Sequence, residues 1–302
     1  MNVCRNDMLS EYKDGYVSVS GYKLYYKIFG ADNPETVLCV HGGPGLTHDY
    51  ILSMADLARK GYKVVFYDQL GCGKSDVPKN LNMFTIERAL DDLEGFRREM
   101  GLGRVHMFGS SYGGLLAIAY ALKYPGNLKS LISAGGLASV PYATRGMDEL
   151  KAQLPPEVQE TMKRYEDAGD YTNPEYQKAV QVFYKNYFCR LPEWPKEVMY
   201  SLAHISLPVY GTMNGPNEFT IVGNIRHWDV TNQLGKIRVP TLVTAGKYDE
   251  VSPEEARSIH NGIKGSKLVI FQRSAHLTMW EEREKYMAVI TDFLRTATKK
   301  RK

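Results

Sequence analysis

The sequence predicts an α/β fold with a mostly parallel central sheet, helices on both faces and an inserted helical cap. Three observations carry that reading. Short runs apolar on both faces, such as TVLCV (Thr36 to Val40) and YKVVFYD (Tyr62 to Asp68), belong in the middle of a helix-covered sheet. They alternate with segments of helical periodicity, which implies right-handed βαβ crossovers. The alternation stops between about Ala138 and Gly235 and then resumes. A rhythm that resumes is better explained by one interrupted core than by two tandem domains. Residues 1–137 and 236–302 are therefore expected to form the core, and 138–235 the cap or lid.

Taken in order, YVSVSGYKLYYKIFG (Tyr16 to Gly30) alternates polar and apolar residues around Gly21, as an antiparallel hairpin does. DYILSMADLARKG (Asp49 to Gly61) has helical spacing, an aspartate at its start and a glycine at its end. FTIERALDDLEGFRREMG then reads as a helix, RVHMFGS as a strand, YGGLLAIAYALKYP as a helix and LKSLISAGG as a strand. Within the insertion, PPEVQETMKRYEDAG, NPEYQKAVQVFYKNYFCRL and PKEVMYSLAHI look helical, with prolines and asparagines as punctuation. Aromatics are dense here, among them Tyr176, Phe183, Tyr184, Phe188 and Trp194. They are expected to fill the core of the cap, and some of them to line a pocket beneath it. The α/β pattern returns with the strand VPTLVTAG, the helix PEEARSIHNGI, the strand SKLVIF and a single last helix WEEREKYMAVITDFLRTA.

The formal net charge is +4, and Lys299, Lys300, Arg301 and Lys302 account for it at the terminus, leaving a nearly neutral body. That balance argues against a nucleic-acid surface and reads the tail as a solvated run. The four cysteines, Cys4, Cys39, Cys72 and Cys189, form no C-x-x-C pair, and Cys39 lies in a strand expected to be buried. With a polar amino terminus and no long apolar run, the chain is expected to be soluble and cytoplasmic, without membrane contact.

Gly109-Ser110-Ser111-Tyr112-Gly113 satisfies G-x-S-x-G in one register only, with Ser111 at its centre. Ser110 has Phe108 and Tyr112 two residues away and fails. The glycines matter because a nucleophile on a sharp strand-to-helix turn leaves no room for side chains at those positions. A serine needs a base. Of the seven histidines, His106 and His260 fall inside predicted elements, His204 and His227 in the insertion, and His41 and His48 beside a glycine loop. His276 follows the strand KLVIF and precedes the last helix, at the carboxyl edge of the sheet. Asp249, just past TLVTAG, fits the orienting acid in the chain order Ser, Asp, His, and is preferred to its longer neighbour Glu250. His41-Gly42-Gly43-Pro44-Gly45 follows the strand TVLCV and brings backbone amides near a substrate oxygen. The amides of Gly43 and Tyr112 are the expected oxyanion donors. Gly71-Cys72-Gly73-Lys74-Ser75 ends like a phosphate loop, but Asp68 stands where its first glycine is required, so nucleotide binding is not expected.

HGGPG after the first buried strand, FYDQLGCGKSD (Phe66 to Asp76) and GSSYGG together resemble the prolyl aminopeptidase, or proline iminopeptidase, family of α/β-hydrolases. NGPNEFT (Asn214 to Thr220), GKYDE (Gly246 to Glu250) and SAHLTMWE (Ser274 to Glu281) look most like its archaeal members that work with tricorn protease. The resemblance runs from about Tyr12 to Leu294. It implies a triad of Ser111, Asp249 and His276, and an oxyanion hole from the Gly43 and Tyr112 amides. It also implies recognition of a free amino terminus by Glu218 and Glu250. Fixed carboxylates would distinguish a terminal ammonium from an internal amide through charge-assisted hydrogen bonds. Glu218 as a salt-bridging cap residue, and Glu250 as a helper to His276, remain alternatives. The implied activity is release of proline, and of other small or apolar residues, from short peptides without a cofactor or metal. A larger upstream protease is a partner by resemblance alone. The other readings are an esterase or amidase of the same fold, and a non-catalytic binding protein.

Overall fold

The computed structural model describes residues 11–299, so Cys4 and the terminal Lys300, Arg301 and Lys302 lie outside the described residues. Strands β1 (Lys13–Val19) and β2 (Tyr22–Phe29) form the expected antiparallel hairpin, turning through left-handed Ser20 and Gly21. Strands β3 (Glu35–Val40) and β4 (Tyr62–Tyr67) are joined by a helical run, His48–Lys60. That run is a 3₁₀ helix rather than the α-helix its spacing suggests, capped by Thr47 and closed by left-handed Gly61. Helix α1 (Ile86–Glu99), strand β5 (Val105–Ser110), helix α2 (Tyr112–Lys123) and strand β6 (Leu128–Ala134) follow.

Five α-helices, a short 3₁₀ helix (Thr231–Lys236) and no named strand then separate β6 from the next strand: the α-helices are α3 (Val140–Lys151), α4 (Pro156–Ala168), α5 (Pro174–Tyr187), α6 (Lys196–Ala203) and α7 (Leu207–Met213). The sequence reading lacked α3 and α7. Both carry a proline in the first turn, Pro141 and Pro208, where the missing N–H is an orphan in any helix. Those prolines start helices instead of separating them. The chain ends with β7 (Thr241–Gly246), α8 (Pro253–Gly262), β8 (Lys267–Phe271), α9 (Thr278–Glu281) and α10 (Arg283–Lys299). The single last helix expected is thus broken at Glu282, whose carboxylate turns back to accept from the Arg273 amide at 3.0 Å and the Ser274 hydroxyl at 3.1 Å.

The eight strands among the described residues form one sheet in the order β1-β2-β4-β3-β5-β6-β7-β8. Pairings from β4 through β8 are parallel, and only β1 with β2 and β2 with β4 are antiparallel. Alternation along β3 sends Val37 and Cys39 to one face, with the 3₁₀ run and α10. Leu38 and Val40 go to the other face, with α1 and α2. Apolar residues on both faces are why these strands read as continuous apolar runs.

The parallel strands deliver their carboxyl ends to one edge, where β5 turns directly into α2. Ser111 sits at that turn with φ 58° and ψ −127°, a backbone state that β-carbon-bearing residues rarely adopt. The turn is so tight that a methyl group on Gly109 would overlap the Gly113 carbonyl, and one on Gly113 would overlap the Val40 carbonyl. Gly109→Ala is expected to cost about 1–3 kcal/mol or more through overpacking. Thermal denaturation measures it, and an unchanged midpoint would contradict the steric account of the motif.

Candidate active site

Ser111 occupies the N-cap position of α2, yet its side chain makes no capping hydrogen bond, which leaves the hydroxyl free for other work. Ser110 is fully buried at the end of β5 and contributes its carbonyl, which accepts from the Tyr50 hydroxyl at 3.2 Å. The Gly42 amide donates to the same hydroxyl at 2.7 Å. Tyr50 therefore clamps the glycine loop after β3 to the turn that bears Ser111. Gly43 and Gly45 stand at φ 113° and 100°, the left-handed side that favours glycine. His41 anchors the loop from below: its Nε2 accepts from the Gln69 amide at 3.0 Å. Burial pushes His41 down to about 4, so it is neutral near pH 7 and structural.

His276 follows β8 and is buried. Its Nδ1 donates to Asp249 Oδ1 at 2.6 Å, and the same oxygen accepts from the Val251 amide at 2.9 Å. On the other side of the ring, Nε2 lies 3.8 Å from Glu250 Oε1. Glu250 is 2 % exposed, and its Oε2 has no hydrogen-bond partner among the described residues. Burial drives the Glu250 carboxyl well above the usual carboxylate range, with His276 opposing the rise. Glu218 is half-buried as a residue, and its carboxyl end faces the same cavity, raised to about 7 by burial against a hydrogen bond from Tyr210. For His276, burial disfavours the charged ring, but Asp249, Glu250 and Glu218 together overcome it and raise the imidazole to about 9.

Ser111, His276, Glu218, Glu250 and Gly43 line one cavity of about 10 Å³, closed by Leu46, Tyr50 and Phe188. That is room for roughly one water molecule. Of the residues singled out in the sequence, Asp249 lies behind His276 and Tyr112 buries its ring on the far side of the turn. Among the cap aromatics, Phe183 packs on Phe219 at 5.0 Å in the helical block, while Phe188 reaches the cavity and sits 5.9 Å from the His276 ring. Both expected uses of the aromatics occur. No group of three or more His, Cys, Asp or Glu among the described residues is arranged to hold a metal ion.

Three supports were not found from the sequence. Tyr50 is one. Another is the Tyr187 carbonyl at the end of α5, which accepts from the amides of Glu250 at 3.0 Å and His276 at 3.2 Å. The third is Glu281, whose carboxylate accepts from the Ala275 amide at 2.9 Å, next to His276. Burial raises Glu281 to about 7 against that bond and one from the Arg190 amide. A carbonyl has no sequence signature, and Tyr50 and Glu281 act through contacts that local pattern does not reveal.

Residues 35–283 match the family model described as the alpha/beta hydrolase fold. The chain is 47 % identical over 289 residues to a protein of Thermoplasma volcanium named proline iminopeptidase, covering 95 % of this chain and 98 % of that one. It is 48 % identical over 285 residues to a proline iminopeptidase of Saccharolobus solfataricus, covering 93 % and 92 %. The crystal structure of VinJ superposes with a TM-score of 0.91 at 35 % identity, covering 94 % of this chain and 99 % of that one.

The Tyr50 clamp generates a prediction. Tyr50→Phe leaves the buried Gly42 amide unpaired, which should lower stability by about 1–3 kcal/mol. If the clamp holds Gly43 in place, turnover should fall more than KM rises. Steady-state kinetics with a denaturation curve separates the two effects, and an unaltered kcat would show that Tyr50 is only packing.

Proposed function

The chain belongs to the proline iminopeptidase family of the α/β-hydrolase fold, and on that premise we propose that Ser111, His276 and Asp249 release amino-terminal proline from short peptides through an acyl-enzyme. It is a serine-type aminopeptidase. The observation that supports the site assignment is Glu250, a buried carboxyl beside both Ser111 and His276 whose Oε2 has no hydrogen-bond partner among the described residues. Such a group, crowded with a second carboxyl in a buried site, calls for a cation. The ammonium of a peptide's first residue supplies one, with Glu218 as its second acceptor. The helical block 138–235 serves as the cap that carries Glu218.

In this reading the substrate carbonyl lies against the Gly43 and Tyr112 amides. Ser111 Oγ attacks its carbon while His276 Nε2 takes the hydroxyl proton, and Asp249 orients and stabilises the imidazolium. Collapse of the tetrahedral intermediate expels the second residue's amine, which receives that proton. Water then attacks the acyl-serine, with His276 again as base, and releases the first amino acid. The bound ammonium has a second effect. It offsets the negative charge of Glu218 and Glu250, which helps to hold His276 near 9, so substrate binding frees the base at the moment it is needed.

Two strands of this proposal reach beyond the site. Cys39, Cys72 and Cys189 are free, which suits a reducing cytoplasm, and no helix among the described residues is long and apolar enough to cross a membrane. Short peptides left by a larger protease suit so small a cavity, and in this proposal such a protease is its partner.

Ser111→Ala should abolish hydrolysis of a prolyl arylamide, and full retained activity would remove the nucleophile assignment. Glu218→Gln should lower kcat/KM about ten- to a hundredfold on free-amine substrates, with far less effect on an N-acetylated ester; equal losses would strip Glu218 of its role. Because Glu218 gains its charge as pH rises through about 7, inhibition by pyrrolidinium should tighten across that pH and flatten in Glu218→Gln. Inhibition constants between mildly acidic and mildly alkaline pH test this, and tightening on acidification would contradict it.

A further inference from the structure

A second cavity, of about 30 Å³, lies against the far side of the wall that Gly43 and Ser111 present to the first. Their chain neighbours Pro44 and Tyr112 line it, so the two spaces share that wall without sharing a residue. Its apolar side is made by Met83, Phe84, Val209 and Met213. At about 30 Å³ the space is smaller than an amide with an apolar chain, so its walls must open to admit one; two of these residues are methionines, whose flexible side chains repack readily around a guest. The polar side is made by Tyr67, Arg88 and Asp92. Tyr67 is 1 % exposed and its ring stacks on Phe96 at 4.6 Å, yet its hydroxyl has no partner among the described residues. Arg88 Nη2 is buried and equally without one.

Charge decides what such a corner accepts. Arg88 Nε already donates to both oxygens of Asp92 at 2.9 Å, so the pair is neutral overall. A carboxylate placed against Arg88 would bury a net negative charge beside Asp92, at a cost of several kcal/mol. An ammonium would meet the guanidinium itself. A neutral acceptor fits, because it takes a hydrogen bond from Arg88 Nη2 and another from the Tyr67 hydroxyl without adding charge.

We propose that this cavity binds a small neutral amide bearing an apolar group, the chemistry of an amino-acid side chain with its peptide carbonyl. The carbonyl oxygen meets Arg88 and Tyr67, and the apolar group enters the cup formed by Met83, Phe84, Val209 and Met213. Two sources supply that chemistry: a peptide bond downstream in a bound substrate, or a separate small amide. Occupancy bears on Pro44 and Tyr112, and so on both walls of the proposed oxyanion hole.

Isovaleramide carries the amide and a branched chain, and isovalerate differs in charge. Calorimetry on the full chain should show saturable isovaleramide binding and at least about tenfold weaker isovalerate binding. Tyr67→Phe keeps the ring stack, removes a hydroxyl without a partner and should fold normally; it is expected to weaken isovaleramide about three- to tenfold. Ala89→Leu, which adds bulk to a lining position, should abolish binding. Absence of saturable binding overturns the proposal, as does equal affinity across wild type and both variants, or isovalerate binding as tightly as the amide. This binding arm stands whether or not the aminopeptidase reading does. A kinetic arm, which does rest on that reading, distinguishes the sources. Competitive inhibition by isovaleramide, with KM for Pro-Leu-Gly raised in Tyr67→Phe but KM for a prolyl arylamide unchanged, marks the substrate's own chain. Non-competitive inhibition with both KM values unchanged marks a separate amide.

Discussion

Three carboxyl groups converge on one imidazole in a space nearly closed to water, and the rest of the site answers to that crowding. Asp249 and Glu250 are 1 % and 2 % exposed, and His276 is 3 % exposed. Concentrated buried charge of one sign is unstable without a counter-charge. The protein meets it partly by protonation, since burial holds Glu218 near 7 and Glu250 higher still than an ordinary carboxyl, while His276 rises to about 9. Glu218 then contributes stability that is full below the ordinary carboxylate range and lost as pH rises through about 7. The contribution of His276 is full below the ordinary imidazole range and lost as pH rises through about 9. Both run the same way, so the ligand-free site loses stability as it becomes alkaline. A cation held among these carboxylates would offset that loss, and more strongly as the pH rises.

Holding such a cluster together falls largely to neutral hydrogen bonds, beside the Glu281 carboxyl on the Ala275 amide. The Tyr187 carbonyl joins the loops bearing Glu250 and His276 to the end of α5, and the Phe188 carbonyl adds the Leu277 amide at 3.1 Å. On the opposite side, Ser201 in α6 accepts from the Thr47 amide at 2.9 Å, and the Ser206 amide donates to the Gly45 carbonyl at 2.8 Å. The helical block is thereby sewn to the loops after β3, β7 and β8. Neutral hydrogen bonds do this without altering the electrostatics of His276, whereas a salt bridge in their place would.

How much of this was legible depended on where each constraint is written. The register of Ser111 could be read because the elbow's steric demand falls on Gly109 and Gly113, two residues away on either side. The alternation of β3, β4 and β5 with helices could be read because both faces of those strands are buried. Glu218 entered through resemblance alone. Its placement follows from the turn around Asn217, whose Oδ1 accepts from the Phe219 and Thr220 amides at 3.1 and 2.7 Å, and local pattern does not say which way such a turn faces. Tyr50 reaches Ser110 across 60 residues of sequence, and Tyr187 acts through its carbonyl, so neither left a trace. Pro141 and Pro208 misled for the opposite reason: proline marks a helix start as readily as a break.

The size of the serine cavity constrains how a substrate enters. At about 10 Å³ it cannot hold a pyrrolidine ring with its amine and carbonyl, so some wall must yield on binding. The bonds from Tyr187, Phe188, Ser201 and Ser206 fix the ends of α5, α6 and α7 to the core. The stretch after α7 is held mainly by the rest of the helical block. Asn217 Nδ2 donates to the Tyr176 hydroxyl of α5 at 2.6 Å, Phe219 packs on Phe183 at 5.0 Å, the Val222 and Gly223 amides donate to the Asn214 carbonyl at 2.9 and 2.7 Å, and the Asn224 side chain reaches the Phe84 carbonyl at 2.7 Å. That stretch carries Glu218. Glu218 is thus positioned by the helical block, whereas Glu250 and His276 follow the strands β7 and β8 of the sheet.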